Sequence, residues 1–330
     1  MKKVLVVRFS SIGDVVLTTP VLRCLHEQTG AEVHFLTKAA YAPLVAYNPH
    51  VQVVHELRDS LRKLLPELKR QNFDVLVDLH RNWRSRMVRM ALGKPTLGFE
   101  KLNFQKWLLV NFKWDFMPRC HLVHRYLAAV EPLGVKDDKY GLEIFLPQTL
   151  PPLSVQLPAE YVAFAVGGAH ATKRMPVEKM KEVLKQLDLP VVLLGGPAEA
   201  ETGKALRATF GEGKIIDLCG RTTLLQSAVV IRDAAAVLTH DTGMMHIAAA
   251  FRKPIVSVWG NTVTAFGMYP YYGDDPDRST VFEVKGLPCR PCSKLGHRRC
   301  PRGHFNCMHL QDANAIARAV RRAISSEVSK

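Results

Sequence analysis

Several common protein classes are excluded by what the sequence lacks. No apolar run reaches the roughly 18–20 residues that a membrane-spanning helix needs. The signal-like start ends at Arg8 after four apolar residues, so we expect no secretion. Cysteine is scarce, at seven in 330 residues, and three of the seven are scattered like core thiols of a reducing compartment. With 47% apolar and 23% charged residues, the chain is neither disordered nor collagenous. We expect a globular cytoplasmic protein of two domains.

Acidic residues are also under-represented, because 30 Asp and Glu stand against 45 Lys and Arg. Residues 81–125 hold ten basic and two acidic side chains, and residues 279–330 hold ten and three. These two surpluses account for the whole net charge of +15. They indicate a polyanionic partner such as a phosphorylated lipid, an anionic membrane or a nucleic acid, although a basic segment can also be a solvated face.

Short apolar runs alternate with helical patterns along the chain, which is typical of a parallel sheet covered by helices. Strands are predicted over residues 4–8, 32–36, 51–54, 74–79, 161–166, 190–194, 214–218, 235–239 and 255–259, and helices over 61–70, 84–92 and about 312–325. A proline-rich linker over residues 147–158 separates two such series. We therefore predict two doubly wound α/β domains, residues 1–150 and 151–330, facing a cleft that holds the active site.

The first polar motif, Ser10-Ser11-Ile12-Gly13-Asp14, directly follows the first strand. Gly13 permits a tight turn, and the serines offer hydroxyls. The motif is neither the Gly-x-Gly-x-x-Gly dinucleotide fingerprint nor a P-loop, which argues against a nicotinamide-dependent oxidoreductase. Asp14 either serves the predicted cleft or stabilises a helix N-terminus.

A second motif, residues 240–250, follows a strand and opens a helix of small residues. Asp241 or Thr242 can cap this helix, and Gly243 lets a ligand approach the backbone. The free amides at the helix start suit a phosphate. His246 comes one turn later and is equally well explained as a buried core histidine.

Two more motifs follow strands in the second half. Lys173 and Arg174 offer a point charge and a planar fork, both suited to a diphosphate. Glu199 follows Gly195-Gly196, where a carboxylate can accept hydrogen bonds from ribose hydroxyls.

Four segments, in this order and spacing, resemble glycosyltransferase family 9, the bacterial ADP-heptose:lipopolysaccharide heptosyltransferases: RFSSIGDVVLTTP at 8–20, TKRMP at 172–176, LLGGPAE at 193–199 and DTGMMHIAA at 241–249. The resemblance covers nearly the whole chain. It implies the GT-B architecture of two Rossmann-like domains, with the acceptor on the first and the nucleotide sugar on the second. It also implies inversion of the anomeric centre with no cofactor required for catalysis.

The resemblance further implies roles for individual residues, with Asp14 as the general base. It places the donor ADP-heptose at Thr172, Lys173, Arg174, Glu199, Thr222, Asp241, Thr242, Gly243 and His246. It places the acceptor, a lipid A–Kdo precursor of lipopolysaccharide, at Ser11, Gly13, Arg81, Arg84, His124 and Arg125. The expected location is the inner face of the inner membrane as a peripheral protein, with no nucleic-acid partner. This sequence departs from the family at Met175, where Trp is common, and at His80-Arg81, where Gln-Gly is common.

Four cysteines, Cys289, Cys292, Cys300 and Cys307, lie in a basic loop over residues 285–307. They could form a structural zinc site, redox-labile disulfides or simple packing thiols, because the spacing lacks the second Cys-x-x-Cys of a zinc ribbon. A zinc module with a pI of 9.6 would also fit a nucleic-acid-binding protein. That alternative leaves Asp14, Lys173 and Asp241 unexplained.

Overall fold

The computed structural model describes residues 2–275 and 278–328, with side chains described up to residue 325. The chain divides into two compact units: Met1–Lys101 with Cys120–Gln148, and Leu102–Arg119 with Thr149–Lys330. The excursion of Leu102–Arg119 has a packing cause, because Leu109 and Met117 share a small core with Phe266 of the second unit. A division at residue 150 based on the linker alone does not include this excursion.

The first unit is built on a five-stranded parallel sheet in the order β3-β2-β1-β4-β5. Its strands are β1 (Lys3–Val7), β2 (Glu32–Lys38), β3 (Val53–Leu57), β4 (Val75–Asp78) and β5 (Thr96–Gly98), and its helices are α1 (Ile12–Val16), α2 (Thr19–Thr29), α3 (Leu61–Arg70), α4 (Trp83–Leu92) and α6 (Leu122–Ala128). The central strand β1 is apolar and buried on both faces, as a covered parallel sheet requires. Chain connections diverge on either side of β1, so its carboxyl end is a topological switch point.

The second unit contains a six-stranded parallel sheet in the order β11-β10-β9-β6-β7-β8. Its strands are β6 (Val162–Ala165), β7 (Val191–Leu194), β8 (Ile215–Asp217), β9 (Ala236–His240), β10 (Ile255–Trp259) and β11 (Ser279–Glu283), and its helices are α5 (Asn103–Phe112), α7 (Val177–Leu184), α8 (Ala200–Phe210), α9 (Leu224–Asp233), α10 (Gly243–Ala250), α11 (Asn306–His309) and α12 (Ala313–Val328). In α12 the buried residues Ala313, Ile316, Ala317 and Val320 recur at helical spacing and join the core beneath β6 and β7.

The prediction of two doubly wound α/β units is confirmed. Two edge strands, β5 and β11, are missing from the prediction because they are short and only partly buried, so they show no continuous apolar run. Within the described residues, no helix combines the length and the apolar character needed to cross a membrane.

Candidate active site

Asp14 lies at the carboxyl end of β1 in a closed set of polar contacts. Its Oδ1 is 2.5 Å from the Arg8 guanidinium. Its Oδ2 accepts hydrogen bonds from the Ser11 backbone N–H at 3.1 Å and from the Ser11 hydroxyl at 2.8 Å. Arg8 is held in turn, because it donates to the backbone oxygens of Ser10 and Leu79. Asp14, Ser11 and Gly13 thus share one turn, as the sequence predicts.

These contacts set the charge state of Asp14. Burial alone would raise the pKa of this carboxyl, but the Arg8 guanidinium and the two Ser11 hydrogen bonds outweigh burial and leave the pKa below its ordinary value. Asp14 is therefore a carboxylate at neutral pH, and its side chain keeps 19% exposure to solvent. An ionised carboxylate that remains accessible can accept a proton from a bound hydroxyl.

Three side chains for which the sequence predicts no role lie around Arg8 and Asp14. The Tyr126 ring lies under the Arg8 guanidinium at 5.9 Å, and His80 packs edge-on against Phe9. Burial, assisted by the Arg8 charge, lowers the pKa of His80 to about 4, so the imidazole is neutral at pH 7. A signal for Arg8 existed, because it is the first residue after a buried strand that ends at a switch point.

The turn after β4 presents a group of arginines. Asp78 organises this turn by accepting hydrogen bonds from the backbone N–H groups of His80 and Arg81 and from the Ser85 hydroxyl. A surface pocket of about 350 Å³ opens beside it, lined by Asp78, Arg81, Asn82, Trp83, Arg86 and Arg89. Three arginines against one aspartate give this lining a net positive charge.

The arginines of α4 are available to a ligand, whereas the Arg81 guanidinium already donates to the Phe99 backbone oxygen at 2.5 Å. Among the described residues, no carboxylate forms an ion pair with Arg81, Arg84, Arg86 or Arg89. Arg86 stacks over Trp83 at 5.9 Å. Helical spacing places Arg86 and Arg89 on one side of α4, which the sequence analysis did not use. Arg84, a predicted acceptor residue, is exposed on α4 and does not line the pocket.

The other two predicted acceptor residues lie on α6. Arg125 is buried and donates to the Glu100 backbone oxygen at 3.5 Å, and burial lowers its pKa. His124 is half exposed and lies 3.6 Å from Asp137. Neither side chain lines the arginine pocket.

In the second unit, the predicted donor residues converge at the carboxyl ends of β6, β7 and β9. Lys173 Nζ lies 2.6 Å from Asp241 Oδ2, which also accepts the Thr262 hydroxyl at 2.7 Å. Arg174 Nη1 lies 2.6 Å from Glu199 Oε1. Each predicted phosphate cation is therefore paired with a carboxylate, and the four charges sum to zero.

The glycine-containing loops after β6 and β7 pack closely against the Lys173–Asp241 and Arg174–Glu199 pairs. The other Glu199 oxygen, Oε2, accepts the Gly196 backbone N–H at 2.9 Å. A Cβ on Gly195 would lie 2.8 Å from Glu199 Cβ, so no larger residue fits there without displacing that side chain. A Cβ on Gly168 would lie 3.2 Å from Arg174 and 3.4 Å from Thr242. The glycine loops after β6 and β7 therefore bring the backbone against the site.

The helix α10 starts in the same place. Thr242 is its N-terminal cap residue and Gly243 its first residue, and the Met245 N–H donates to the Thr242 oxygen at 3.2 Å. The first amides of a helix lack the i−4 partners of its interior, so the Gly243 and Met244 amides are suited to an anion. His246 is buried within α10. At the end of β9, His240 Nε2 accepts the Met175 backbone N–H at 3.0 Å, and the opposite ring nitrogen faces the Gly167 oxygen. This buried histidine, which the sequence analysis did not assign, fixes the loop that carries Lys173.

Thr222 lies further along the same edge, after β8. Its hydroxyl shares a hydrogen bond of 2.8 Å with Ser227. The loop that contains it is joined to the Glu199 loop, because the Gly220 N–H donates to the Gly195 oxygen at 2.9 Å. Thr222 and Glu199, both predicted donor residues, therefore lie on adjacent loops.

The basic loop over residues 285–307 forms a wall of this site. Thr172 accepts the His297 N–H at 2.8 Å, and Arg290 donates to the backbone oxygens of Gly260 and Thr262. A Cβ on Gly296 would lie 2.5 Å from His170 Cβ, which shows how closely this loop packs against the loop before Thr172. Sequence spacing gave no sign of this connection.

The four cysteines of that loop are neighbours but do not form a closed metal site. Burial raises the pKa of Cys292, and the nearby Cys289 and Cys300 thiols raise it further. Sulfurs bound to one zinc ion lie about 3.8 Å apart. Within residues 2–275 and 278–325, the one group of three possible ligands within 4.8 Å of one another is His26, Glu27 and His50. The zinc assignment thus stays a prediction.

Residues 61–296, more than half of the chain, match the profile of glycosyltransferase family 9 (heptosyltransferase). Lipopolysaccharide heptosyltransferase 1 of Pseudomonas aeruginosa is 26% identical over 324 residues, covering 88% of this chain and 86% of that relative. The fold is similar to that of E. coli ADP-heptose LPS heptosyltransferase II, with a TM-score of 0.72, 21% identity and coverage of 98% and 99% of the two chains. It is also similar to E. coli heptosyltransferase WaaC with ADP, with a TM-score of 0.67, 22% identity and coverage of 97% and 99%.

A two-unit α/β fold with polar motifs at its strand ends, matched in sequence and structure to these enzymes, defines a glycosyltransferase. This chain belongs to glycosyltransferase family 9, the heptosyltransferases. The predictions of family and enzyme class are confirmed, and the nucleic-acid-binding and oxidoreductase alternatives have no support.

Proposed function

We propose that this protein transfers a heptose from ADP-heptose to the lipid A–Kdo region of a lipopolysaccharide precursor, in synthesis of the lipopolysaccharide core. Relatives named lipopolysaccharide heptosyltransferase and a similar structure with ADP support this assignment. The observation that carries it furthest is the accessible carboxylate of Asp14 at the switch point of the first sheet.

In the proposed reaction, an acceptor hydroxyl oxygen attacks the anomeric carbon of the heptose while its proton passes to Asp14. The bond from that carbon to the diphosphate oxygen breaks, and ADP leaves with the electron pair. Attack from the side opposite to the leaving group inverts the anomeric centre. Ser11 donates two hydrogen bonds to Oδ2 and the Arg8 guanidinium contacts Oδ1, so the acceptor proton is assigned to the remaining lone pair of Oδ1.

The charge that develops on the departing diphosphate is assigned to Lys173, Arg174 and the first amides of α10. Because Asp241 and Glu199 neutralise the two cations in this structure, donor binding has to displace these carboxylates or share the cations with them. Glu199 and Thr222, on adjacent loops, are assigned to the nucleoside. Thr172, Thr242, Gly243 and His246 complete the donor site, with no step assigned to a metal.

The acceptor is assigned to the first unit. The arginine pocket fits a phosphate or carboxylate group because guanidinium forks match both. Arg81 is part of that pocket. Arg84, His124 and Arg125 remain proposed acceptor residues at the edge of the basic segment. A lipid-anchored acceptor places the protein, as a peripheral partner, at the inner face of the inner membrane.

The test is transfer from ADP-heptose to a panel of truncated lipid A–Kdo acceptors, measured as ADP release and as a mass increase of one heptose. We expect activity with at least one acceptor and a large loss in Asp14→Asn. Asp59→Asn is the matched control, because Asp59 is an exposed partner of Lys63. ADP release without heptosylated product, or no activity with any acceptor, would refute the assignment.

Structural zinc at Cys289, Cys292, Cys300 and Cys307 is the weaker part of the proposal, because the sulfur atoms are not gathered for one ion. Elemental analysis of protein purified without chelator decides it: one zinc per chain supports the site. Zinc well below that ratio leaves packing thiols.

A further inference from the structure

The segment Leu102–Arg119 exposes an unusual number of large aromatic rings. Its aromatic face consists of Phe104, Trp107, Phe112, Trp114 and Phe116, each 50–66% exposed. Four of the five rings contact one another in sequence: Phe104 to Trp107 at 6.1 Å between centroids, Trp107 to Phe112 at 5.3 Å, and Phe112 to Trp114 at 5.3 Å. A contiguous apolar patch of this kind marks a surface that binds a partner.

The exposure is not a result of a loosely held helix. On the other side of α5, Leu109 is buried with Met117 and Phe266, and Leu102 and Val110 pack against them. Beyond the helix end, Lys113 Nζ donates to the backbone oxygens of Val110 and Pro291. The segment is therefore anchored by one apolar side and presents a second one to solvent.

The charges around the aromatic face identify the partner. Residues 101–119 carry four basic side chains and one acidic one, Asp115, which already pairs with Arg119 at 2.9 Å. Tryptophan and phenylalanine flanked by lysine are typical of helices that lie in the headgroup region of a bilayer, where the cations meet anionic lipids. We propose that the aromatic face is a membrane-docking surface that inserts its rings among the headgroups of an anionic lipid bilayer.

This inference rests on the proposed function in one respect, that the acceptor is anchored in a lipid bilayer. Its test measures binding to vesicles and does not require catalytic activity. Sedimentation with vesicles of phosphatidylcholine, with or without one quarter phosphatidylglycerol, measures partitioning of the full chain. We expect wild-type protein to bind the anionic vesicles and to lose binding as salt rises. Trp107→Gln/Trp114→Gln should lower partitioning by at least about ten-fold.

The matched control is Tyr47→Gln/Leu310→Gln, which removes two exposed apolar side chains at 48% and 60% exposure elsewhere. It should bind like the wild type. Lys101→Gln/Lys106→Gln should reduce binding to anionic vesicles and leave binding to neutral ones unchanged. Circular dichroism and thermal melting verify that each variant is folded.

Three results would overturn the inference. The wild-type protein could fail to bind either kind of vesicle, or the tryptophan variants could bind as the wild type does. The tryptophan substitutions could also convert a dimer to a monomer without changing vesicle binding. The last result would make the face a contact between copies. Activity with a soluble acceptor that has no lipid chains separates this inference from the proposed function. The tryptophan variants should heptosylate this acceptor at the wild-type rate. A wild-type protein that is inactive with every acceptor would contradict the proposed function without affecting the interpretation of vesicle binding.

Discussion

Replacement of Asp14 by Asn tests the proposed base directly. Asn keeps the size of the side chain and an oxygen that can accept the Ser11 hydrogen bonds, but it cannot take up a proton at neutral pH. General base catalysis contributes about 10²–10⁴ to the rate. We therefore expect kcat to fall by that factor, which corresponds to about 2.7–5.4 kcal/mol in the activation free energy. The donor KM should change little, because no donor contact is assigned to Asp14.

The same substitution also has a folding cost that must be measured separately. The Arg8 guanidinium is buried and loses its carboxylate partner, although its hydrogen bonds to Ser10 and Leu79 remain. Removal of one partner from a buried ion pair costs about 3–5 kcal/mol of unfolding free energy. Denaturant unfolding of Asp14→Asn is therefore the first measurement, and kcat is measured only where the variant is folded.

Arg8→Gln provides the sharper test, because it leaves the base in place and changes its pKa. Arg8 is the strongest influence that lowers the pKa of Asp14, against burial that raises it. Its removal should raise this pKa and move the acidic limb of the kcat/KM profile to higher pH. Arg8→Gln leaves the buried Asp14 carboxylate without its cation, so the unfolding free energy of this variant is also measured first. In the wild type, the depressed pKa of Asp14 contributes stability above the unfolded pKa of about 4, and that contribution is lost as the pH falls further.

Two outcomes would refute the reasoning. Near-normal turnover in folded Asp14→Asn would return Asp14 to the role of a helix-terminus residue. An acidic limb that stays in place in folded, active Arg8→Gln would assign that limb to another group.

Three further predictions follow from the described contacts. Lys173→Ala should raise the donor KM by about 10- to 150-fold and leave the acceptor KM unchanged, because a charge-assisted contact is worth about 1.5–3 kcal/mol. An unaltered donor KM would contradict the assignment of Lys173 to the diphosphate. Arg86→Gln/Arg89→Gln should raise the acceptor KM by about ten-fold and weaken the salt dependence of that KM. Arg58→Gln, at an exposed arginine elsewhere, is the control. Equal effects of the two substitutions would show that the pocket arginines do not bind the acceptor. Burial lowers the pKa of His240 from 6.5 to about 4. The unfolded chain therefore binds a proton that the folded chain does not between these values, and unfolding free energy measured from pH 7 down to pH 4 should fall by roughly 3 kcal/mol from this group.

Strong local patterns in the sequence account for most of the fold. Apolar runs such as Val162–Ala165 are strands because they are buried on both faces, and that requirement is visible in composition alone. The edge strand Ser279–Glu283 is half exposed, so its sequence carries no such signal. The helix Asn103–Phe112 was missed because it is apolar on more than one side, and helical periodicity is clear only where one side is polar.

The candidate site divides in the same way. Asp14, Lys173 and Glu199 could be chosen from sequence because each follows a strand and a glycine. Arg8 also follows a strand, but its pairing with the Asp14 carboxylate, six residues away, is not visible in the sequence. The role of His240 likewise depends on a neighbour that the fold supplies, the Met175 amide 65 residues away. The contact of Thr172 with His297 spans 125 residues and is likewise invisible to spacing.

The basic side chains of the two units differ in whether a carboxylate pairs with them. In the second unit, Lys173 and Arg174 are each satisfied by a carboxylate, so burial of these cations does not depend on a bound nucleotide. In the first unit, the arginines of α4 are exposed, where an unpaired charge is tolerated by water. A bound diphosphate must displace Asp241 and Glu199 or share the cations with them, so part of its attraction to Lys173 and Arg174 is offset by the weakening of these ion pairs. Within the part of the chain that the structure describes, the α4 arginines have no carboxylate partner to release, so an anionic acceptor competes only with solvent for these exposed charges. The two halves of the proposed reaction therefore use basic side chains differently: exchange of anions at the donor, and simple attraction at the acceptor.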